Sequence, residues 1–266
     1  MRRVRTFIHA YRASVASGFF DFAALFSWRG WLGGWFIRIV AQVTFFALIG
    51  RLVGSPQLVG FLILGNVGLV AATAGLLAIA GAATDIRAGT LPLLVATPAP
   101  PAAAFAGRGF YVVADAIVTA FGALLVVAPV FDMPISLSTA LRALPLLASI
   151  AFSSYALGTF LTAVVIHLPS ARNLALNLTI AVMSTICGVN FALAALPSPL
   201  AAAAHLLPLT NGLIALRGLF AGDPSSGILA SAAAELAVAA GWLGCSLAVF
   251  ELVIARDRRS GAIDFG

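Results

Sequence analysis

The chain has 266 residues, of which 62% are hydrophobic and only 9% are charged. A water-soluble domain cannot bury so much apolar surface, and several apolar runs exceed the roughly 18–20 residues that a helix needs to cross a bilayer. The net charge is +6, and every basic residue apart from the histidines is an arginine. These arginines lie at the ends of apolar runs, which indicates membrane topology rather than nucleic-acid binding. The composition therefore predicts an all-α membrane protein with several spans.

The N-terminal residues 3–28 have the pattern of an amphipathic helix. Tyr11, Val15 and Phe19 recur at helical spacing on one face, whereas polar residues such as His9 lie on the other. Such a helix is typical of the membrane interface, with its apolar face towards the lipid. The same face could instead pack against the protein itself, and the pattern is compatible with both arrangements.

Six further apolar runs predict membrane-spanning helices within a single domain, 1–266. With the N-terminus in the cytoplasm, cytoplasmic segments hold ten arginines and external segments hold three, namely Arg51, Arg142 and Arg217. This bias predicts that both termini are cytoplasmic, and with no recognisable targeting segment it favours a bacterial inner membrane. The predicted spans are about 30–53, 57–83, 109–131, 142–166, 173–196 and 228–254.

The external segment 197–227 is too apolar to be a free loop. It is interrupted by Pro197, Pro199, Pro208 and Pro224. Two short helices that dip into the outer leaflet and return would explain this composition, since re-entrant backbone is tolerated where protein buries it. We therefore expect an external re-entrant hairpin before the last span.

The cytoplasmic segment 84–108 joins the second and third predicted spans. Thr90 can cap a helix whose first turn contains Pro92, where the missing N–H of proline costs nothing. Leu91 and Leu94 then give this short helix an apolar face that could enter a groove on a partner. The physical pattern is equally compatible with a simple turn at the membrane interface.

Thr84–Pro98, TDIRAGTLPLLVATP, resembles a family pattern. In the type-two permeases of ATP-binding-cassette (ABC) exporters, this loop commonly reads E-R-E-x-G-T-L-E-x-L-L-x-x-T-P. The matching positions are Asp85, Arg87, Gly89, Thr90, Leu91, Leu94, Thr97 and Pro98. A second resemblance, to the P-L-T…L-R…G pattern of the same family, lies before the last span. It comprises Pro208, Leu209, Thr210, Leu216, Arg217 and Gly222.

The resemblance implies the membrane-spanning subunit of an ATP-driven exporter. The eight matching residues of the loop would form a coupling helix that docks on a nucleotide-binding subunit, present in two copies. A second permease subunit, identical or different, would complete the pathway for a hydrophobic or amphipathic compound such as a drug, an antibiotic or a lipid. Ile86, Ala88 and Pro92 replace residues that are commonly charged in the family, so fewer ion pairs to the motor are expected.

The chain itself is not expected to be an enzyme. A P-loop requires a lysine, and this sequence contains none. We therefore expect that ATP and Mg²⁺ bind in the partner subunit and that this chain binds no cofactor. His167 and His205 have no other ligand type at metal-binding spacing, so we expect no metal site. The sequence also contains no nucleophile elbow, the motif that would indicate an enzyme acting on membrane lipids.

Polar residues inside the predicted spans are candidates for the translocation pathway. Such residues are costly in lipid, so they line a pathway or bond to one another, and the sequence leaves both roles open. An alternative function is a proton-coupled secondary transporter in which the two acids, Asp115 and Glu235, form a proton relay. The candidates are Asn66, Thr73, Asp115, Asn173, Asn177, Ser184 and Glu235.

Overall fold

The computed structural model describes residues 9, 11–20, 27–79, 107, 109–165, 168 and 170–260. Within these ranges the chain is helical and contains no strand. The helices are α1 (11–20), α2 (Trp28–Leu52), α3 (Pro56–Leu76), α4 (Tyr111–Val130), α5 (Leu137–Val165), α6 (Ala171–Ile186), α7 (Ser198–Ala204), α8 (Thr210–Ala221) and α9 (Ser225–Ser260).

Five of the described helices are long and apolar enough to cross a membrane. They are α2, α3, α4, α5 and the Ser225–Val253 part of α9. Their bounds lie within a few residues of five predicted spans, except that helix α3 ends at Leu76 whereas the second span was predicted to reach residue 83. The chain is therefore compatible with a multi-pass helical membrane protein, as predicted.

The fifth predicted span, 173–196, is not one continuous helix. Helix α6 has 16 residues and ends at Ile186. Gly188 then has a φ of +79°, a left-handed conformation that interrupts the helix. Only a short 3₁₀ turn, Leu193–Ala195, follows before α7. The apolar composition that predicted a helix to residue 196 could not reveal this break.

The predicted interfacial helix 3–28 is described only in part. Residues 11–20 are helical, and Ser27 starts α2 with its hydroxyl accepting a hydrogen bond from the Gly30 N–H at 3.2 Å. Tyr11 of α1 contacts the Phe110 ring, with centroids 6.1 Å apart. Burial raises the pKa of the Tyr11 phenol, which also contacts Tyr155 on α5. Helix α1 therefore packs against the protein, while Phe20 on the same helix is 76% exposed.

Helices α3 and α5 form the centre of the described bundle. Most side chains of α3 are buried, because the helix is apolar on all sides and packs against α2, α4 and α5. Helices α2 and α9 lie at the periphery, and only a small share of either helix is buried inside the described bundle. This exposure is expected of helices that face lipid or another subunit.

The structure describes the predicted external segment 197–227 but almost none of the predicted coupling loop 84–108. Segment 197–227 contains α7 and α8, and α8 is largely buried between α3, α5 and α9. The last residues of that segment, from Ser225, already belong to α9. The coupling loop 84–108 lies outside the described residues, apart from Gly107. All eight residues of its motif are therefore outside the described part of the chain.

Candidate functional site

The side chain of Glu235 on α9 is fully buried and caps another helix. Its Oε1 accepts a hydrogen bond from the Leu209 N–H at 2.8 Å, and its Oε2 accepts one from the Gly212 N–H at 2.9 Å. The Ser153 hydroxyl on α5 also donates to Oε1. Leu209 immediately precedes α8 and Gly212 lies in its first turn, where helix donors lack partners and attract negative charge. We call Ser153, Leu209, Gly212 and Glu235 the Glu235 cluster.

An unusual backbone conformation completes the Glu235 cluster. Leu209 precedes α8 with a φ of +87°, which is costly for a residue with a side chain. Its side chain is fully buried, and its N–H points to the carboxylate. Strained backbone of this kind persists only where the surroundings hold it. The cluster thus joins α5, α8 and α9 at one buried point.

Arg217, two turns further along α8, holds the break that follows α6. Its guanidinium donates to the carbonyl oxygens of Gly188 at 2.6 Å and Val189 at 3.0 Å, and to that of Phe61 on α3 at 3.2 Å. The same group lies 3.5 Å from the centre of the Phe61 ring. The sequence predicts that Arg217 lies in an external segment; in the structure its guanidinium satisfies backbone carbonyls inside the protein. Gly65 permits this contact, because a Cβ there would lie 2.1 Å from the Val189 oxygen.

Asn66 and Thr73 both lie on α3, but their side chains bond to different partners and do not form a common polar surface. The Asn66 amide is buried and donates to Leu62 O at 3.0 Å and to the Asn190 side-chain oxygen at 3.2 Å. The Thr73 hydroxyl donates to Val70 O of its own helix at 3.1 Å. Asn66 therefore joins α3 to the segment after α6, whereas Thr73 is satisfied locally.

The polar residues of α6 bond within their own helix. The Asn177 amide donates to the Asn173 carbonyl oxygen at 2.8 Å, and the Ser184 hydroxyl donates to Ala181 O at 2.9 Å. Asn173 and Asn177 are exposed on the outer surface of the described bundle. Their amides are thus available to a partner or to water.

Asp115 lies near the start of α4 and is half-buried. Its Oδ1 accepts a hydrogen bond from the Trp31 indole N–H at 2.6 Å. Trp31 begins a π-helical segment of α2, Trp31–Phe36, a form that often marks functional sites. Among the described residues, Asp115 and Glu235 share no hydrogen-bond partner, so the described contacts give no support to a proton relay between them.

Sequence reasoning identified Asn66, Asp115 and Glu235 but missed the residues that bond to them. Ser153, Trp31 and Asn190 carried no signal of their own, since serines, tryptophans and asparagines are common in membrane helices. Arg217 belonged to a motif, yet its target carbonyls depend on a helix break that the sequence pattern did not show.

Comparisons with known proteins return no match from any family model and none from the curated proteins.

Proposed function

We propose that the chain is the membrane-spanning subunit of an ATP-driven exporter of the type-two ABC permease kind. The observation that carries the proposal is the polar segment Thr84–Pro98, which lies between two helices long and apolar enough to span a membrane, α3 and α4. Because spans on both sides anchor this segment, a short stiff helix there would transmit force from a motor to the bundle. The exported compound would be hydrophobic or amphipathic, such as a drug, an antibiotic or a lipid.

Six membrane crossings follow if α6 and the segment after it cross together. Helix α6 alone covers about 24 Å, less than the roughly 30 Å of a hydrocarbon core. The non-helical backbone after Ile186 can lie at membrane depth only where its carbonyls have partners. The Arg217 guanidinium supplies partners for Gly188 and Val189. In this topology both termini are cytoplasmic, and α7 and α8 form the re-entrant hairpin.

The second sequence motif supports the same proposal. Leu209 and Arg217 of the P-L-T…L-R…G pattern make the backbone contacts that hold α8 in the bundle. Gly222, the last residue of the pattern, ends α8 in a left-handed conformation with a φ of +80°. Sequence positions that resemble a family pattern therefore coincide with the contacts that position the buried hairpin helix.

A second permease subunit would cover the exposed amides of α6. Asn173 and Asn177 point away from the described bundle, and exposed amides are unfavourable against lipid. A partner subunit, identical or different, would enclose them in a polar pathway between the two subunits. Two copies of a separate nucleotide-binding subunit would supply ATP hydrolysis with Mg²⁺ at the cytoplasmic side of the bacterial inner membrane.

The experiment that tests the proposal is purification of the chain from its native host in mild detergent, followed by mass spectrometry of what accompanies it. We expect a stoichiometric P-loop ATPase in the wild-type sample and a loss of most of it for Gly89→Asp and Leu94→Asp. The acid would place a charge on the apolar docking face, where an unpaired buried charge costs several kcal/mol, about a hundredfold or more in affinity.

The matched control is Gly227→Asp, at the exposed start of α9, where a Cβ would meet no atom within 4 Å. It should keep the ATPase. A chain that arrives without any ATPase and still transports in response to a proton gradient would overturn the proposal.

A further inference from the structure

A carboxylate and a guanidinium each contact an indole ring in the first half of α2. Asp115 accepts a hydrogen bond from Trp31, as described above, and the Arg38 guanidinium lies 4.6 Å from the centre of the Trp35 ring. The Trp35 indole nitrogen is buried and has no hydrogen-bond partner among the described residues. We call Asp115, Trp31, Trp35 and Arg38 the Asp115 cluster.

The two charges of the Asp115 cluster do not neutralise each other directly. No described basic side chain forms an ion pair with Asp115. Trp31, Trp35 and Arg38 are spaced i, i+4 and i+7 along α2, which places them on one face of the helix. Charged groups in a membrane helix are costly unless they find an opposite charge. The cluster therefore presents an acceptor for positive charge and a donor to negative charge on the same face of α2.

The surface around the Asp115 cluster is open and apolar. Arg38 is exposed, and Asp115, Trp31 and Trp35 are each partly exposed, so the described protein does not enclose the cluster. Phe45 and Leu48, beyond Arg38 on the same helix, are 60% and 46% exposed. Tryptophan rings favour the level of lipid headgroups, with acyl chains beside the apolar residues below them. These features are those of a surface that accepts lipid.

We propose that the Asp115 cluster binds the headgroup of a zwitterionic aminophospholipid, such as phosphatidylethanolamine. The ammonium group would donate hydrogen bonds to Asp115 beside the indole rings, and the phosphate would accept them from Arg38. The order of the charges agrees with this assignment. Trp31, which binds Asp115, lies nearer the start of α2 than Arg38 does. In a phospholipid the amine likewise lies further from the acyl chains than the phosphate does. The acyl chains would then lie along Phe45 and Leu48.

The test is native mass spectrometry of the purified chain, titrated with dioleoyl phosphatidylethanolamine, phosphatidylcholine or phosphatidylglycerol. We expect phosphatidylethanolamine to bind best, because the quaternary amine of phosphatidylcholine has no N–H and phosphatidylglycerol has no amine. We expect the preference for phosphatidylethanolamine to be about tenfold, the scale of one charge-assisted hydrogen bond. Asp115→Asn should remove this preference. Arg38→Gln should weaken the binding of all three lipids, since each carries the phosphate.

Matched controls exist at the other ends of the same two helices. Arg51, at the end of α2, and Asp132, just after α4, line a separate cavity of about 370 Å³. Arg51→Gln and Asp132→Asn remove the same charges and should leave the lipid preference unchanged.

Equal binding of the three lipids to the wild type, or an unchanged preference in Asp115→Asn, would overturn the proposal. So would equal losses in the control variants, which would show an effect of net charge alone. If Arg38→Gln does not fold, the Asp115→Asn arm decides. The experiment uses no nucleotide-binding subunit, so its outcome is independent of the exporter proposal.

Discussion

The Glu235 cluster and the Asp115 cluster are each built around an acid inside an apolar helix, yet their surroundings differ in kind. Glu235 is fully buried and receives hydrogen bonds from Ser153 and from two backbone N–H groups at the start of α8. Asp115 is half-buried and accepts a hydrogen bond from Trp31. The protein encloses both oxygens of the first carboxylate, whereas the second carboxylate is only partly buried.

This difference separates two roles that residue type alone cannot distinguish. A buried acid whose partners are helix N–H groups holds those helices in place, and it has no free position for a ligand. An acid with one partner and an open side can take a second partner from outside the chain. Hydrogen-bond saturation, more than position in a predicted span, therefore indicates which intramembrane acid binds a ligand.

The largest expected effect is that of Glu235→Ala. The substitution leaves the N–H groups of Leu209 and Gly212 buried without an acceptor, and each such loss costs about 1–3 kcal/mol. We expect the free energy of unfolding to fall by about 3 kcal/mol, measured by equilibrium unfolding in mixed detergent micelles with circular dichroism. The control is Glu251→Ala, which removes an exposed glutamate of the same helix. Equal losses in the two variants would show that the cap does not stabilise α8.

A smaller loss is expected for Arg217→Gln. Glutamine cannot reach the three carbonyls that the guanidinium serves, so Gly188 and Val189 lose their donors. We expect a loss of about 2 kcal/mol in the same unfolding measurement, because hydrogen bonds from a charged donor contribute about 1.5–3 kcal/mol. Arg142→Gln, at an exposed position of α5, should change stability little. An Arg217→Gln variant as stable as the wild type would mean that the break after α6 needs no such support.

The smallest effect on stability is expected for Asp115→Asn. An asparagine oxygen can still accept from the Trp31 indole, and no ion pair with a described residue is lost. We expect a change of less than about 0.5 kcal/mol, typical of a substitution outside a buried network. A destabilisation equal to that of Glu235→Ala would remove the contrast between the two clusters and assign Asp115 a structural role.

Much of the helical architecture was predictable because lipid imposes strong rules. A run of about 20 apolar residues has few alternatives to a helix, so the positions of α2, α4, α5 and α9 agree with expectation. The end of α6 did not follow from composition, since residues 187–196 are as apolar as a helix requires. There the backbone leaves the helix because Arg217 and Asn66, distant in sequence, provide hydrogen bonds to the turn.

The candidate site was predictable to the level of its acids. Glu235 and Asp115 stand out as charges in apolar runs, which is a one-dimensional signal. Their partners come from residues 23 to 84 positions away, and the left-handed backbone at Leu209 contradicts the ordinary preference of leucine. No local pattern carries that information.

The amino-acid sequence by itself determined that the chain is helical, with several runs long and apolar enough to cross a membrane, and which residues carry charge within those runs, because the cost of placing polar groups in lipid acts on every residue separately. Only the tertiary structure decided what those charges do. Glu235 became the cap of a buried helix and Asp115 remained half-open, because a hydrogen bond depends on which groups the packing brings within about 3 Å of each other.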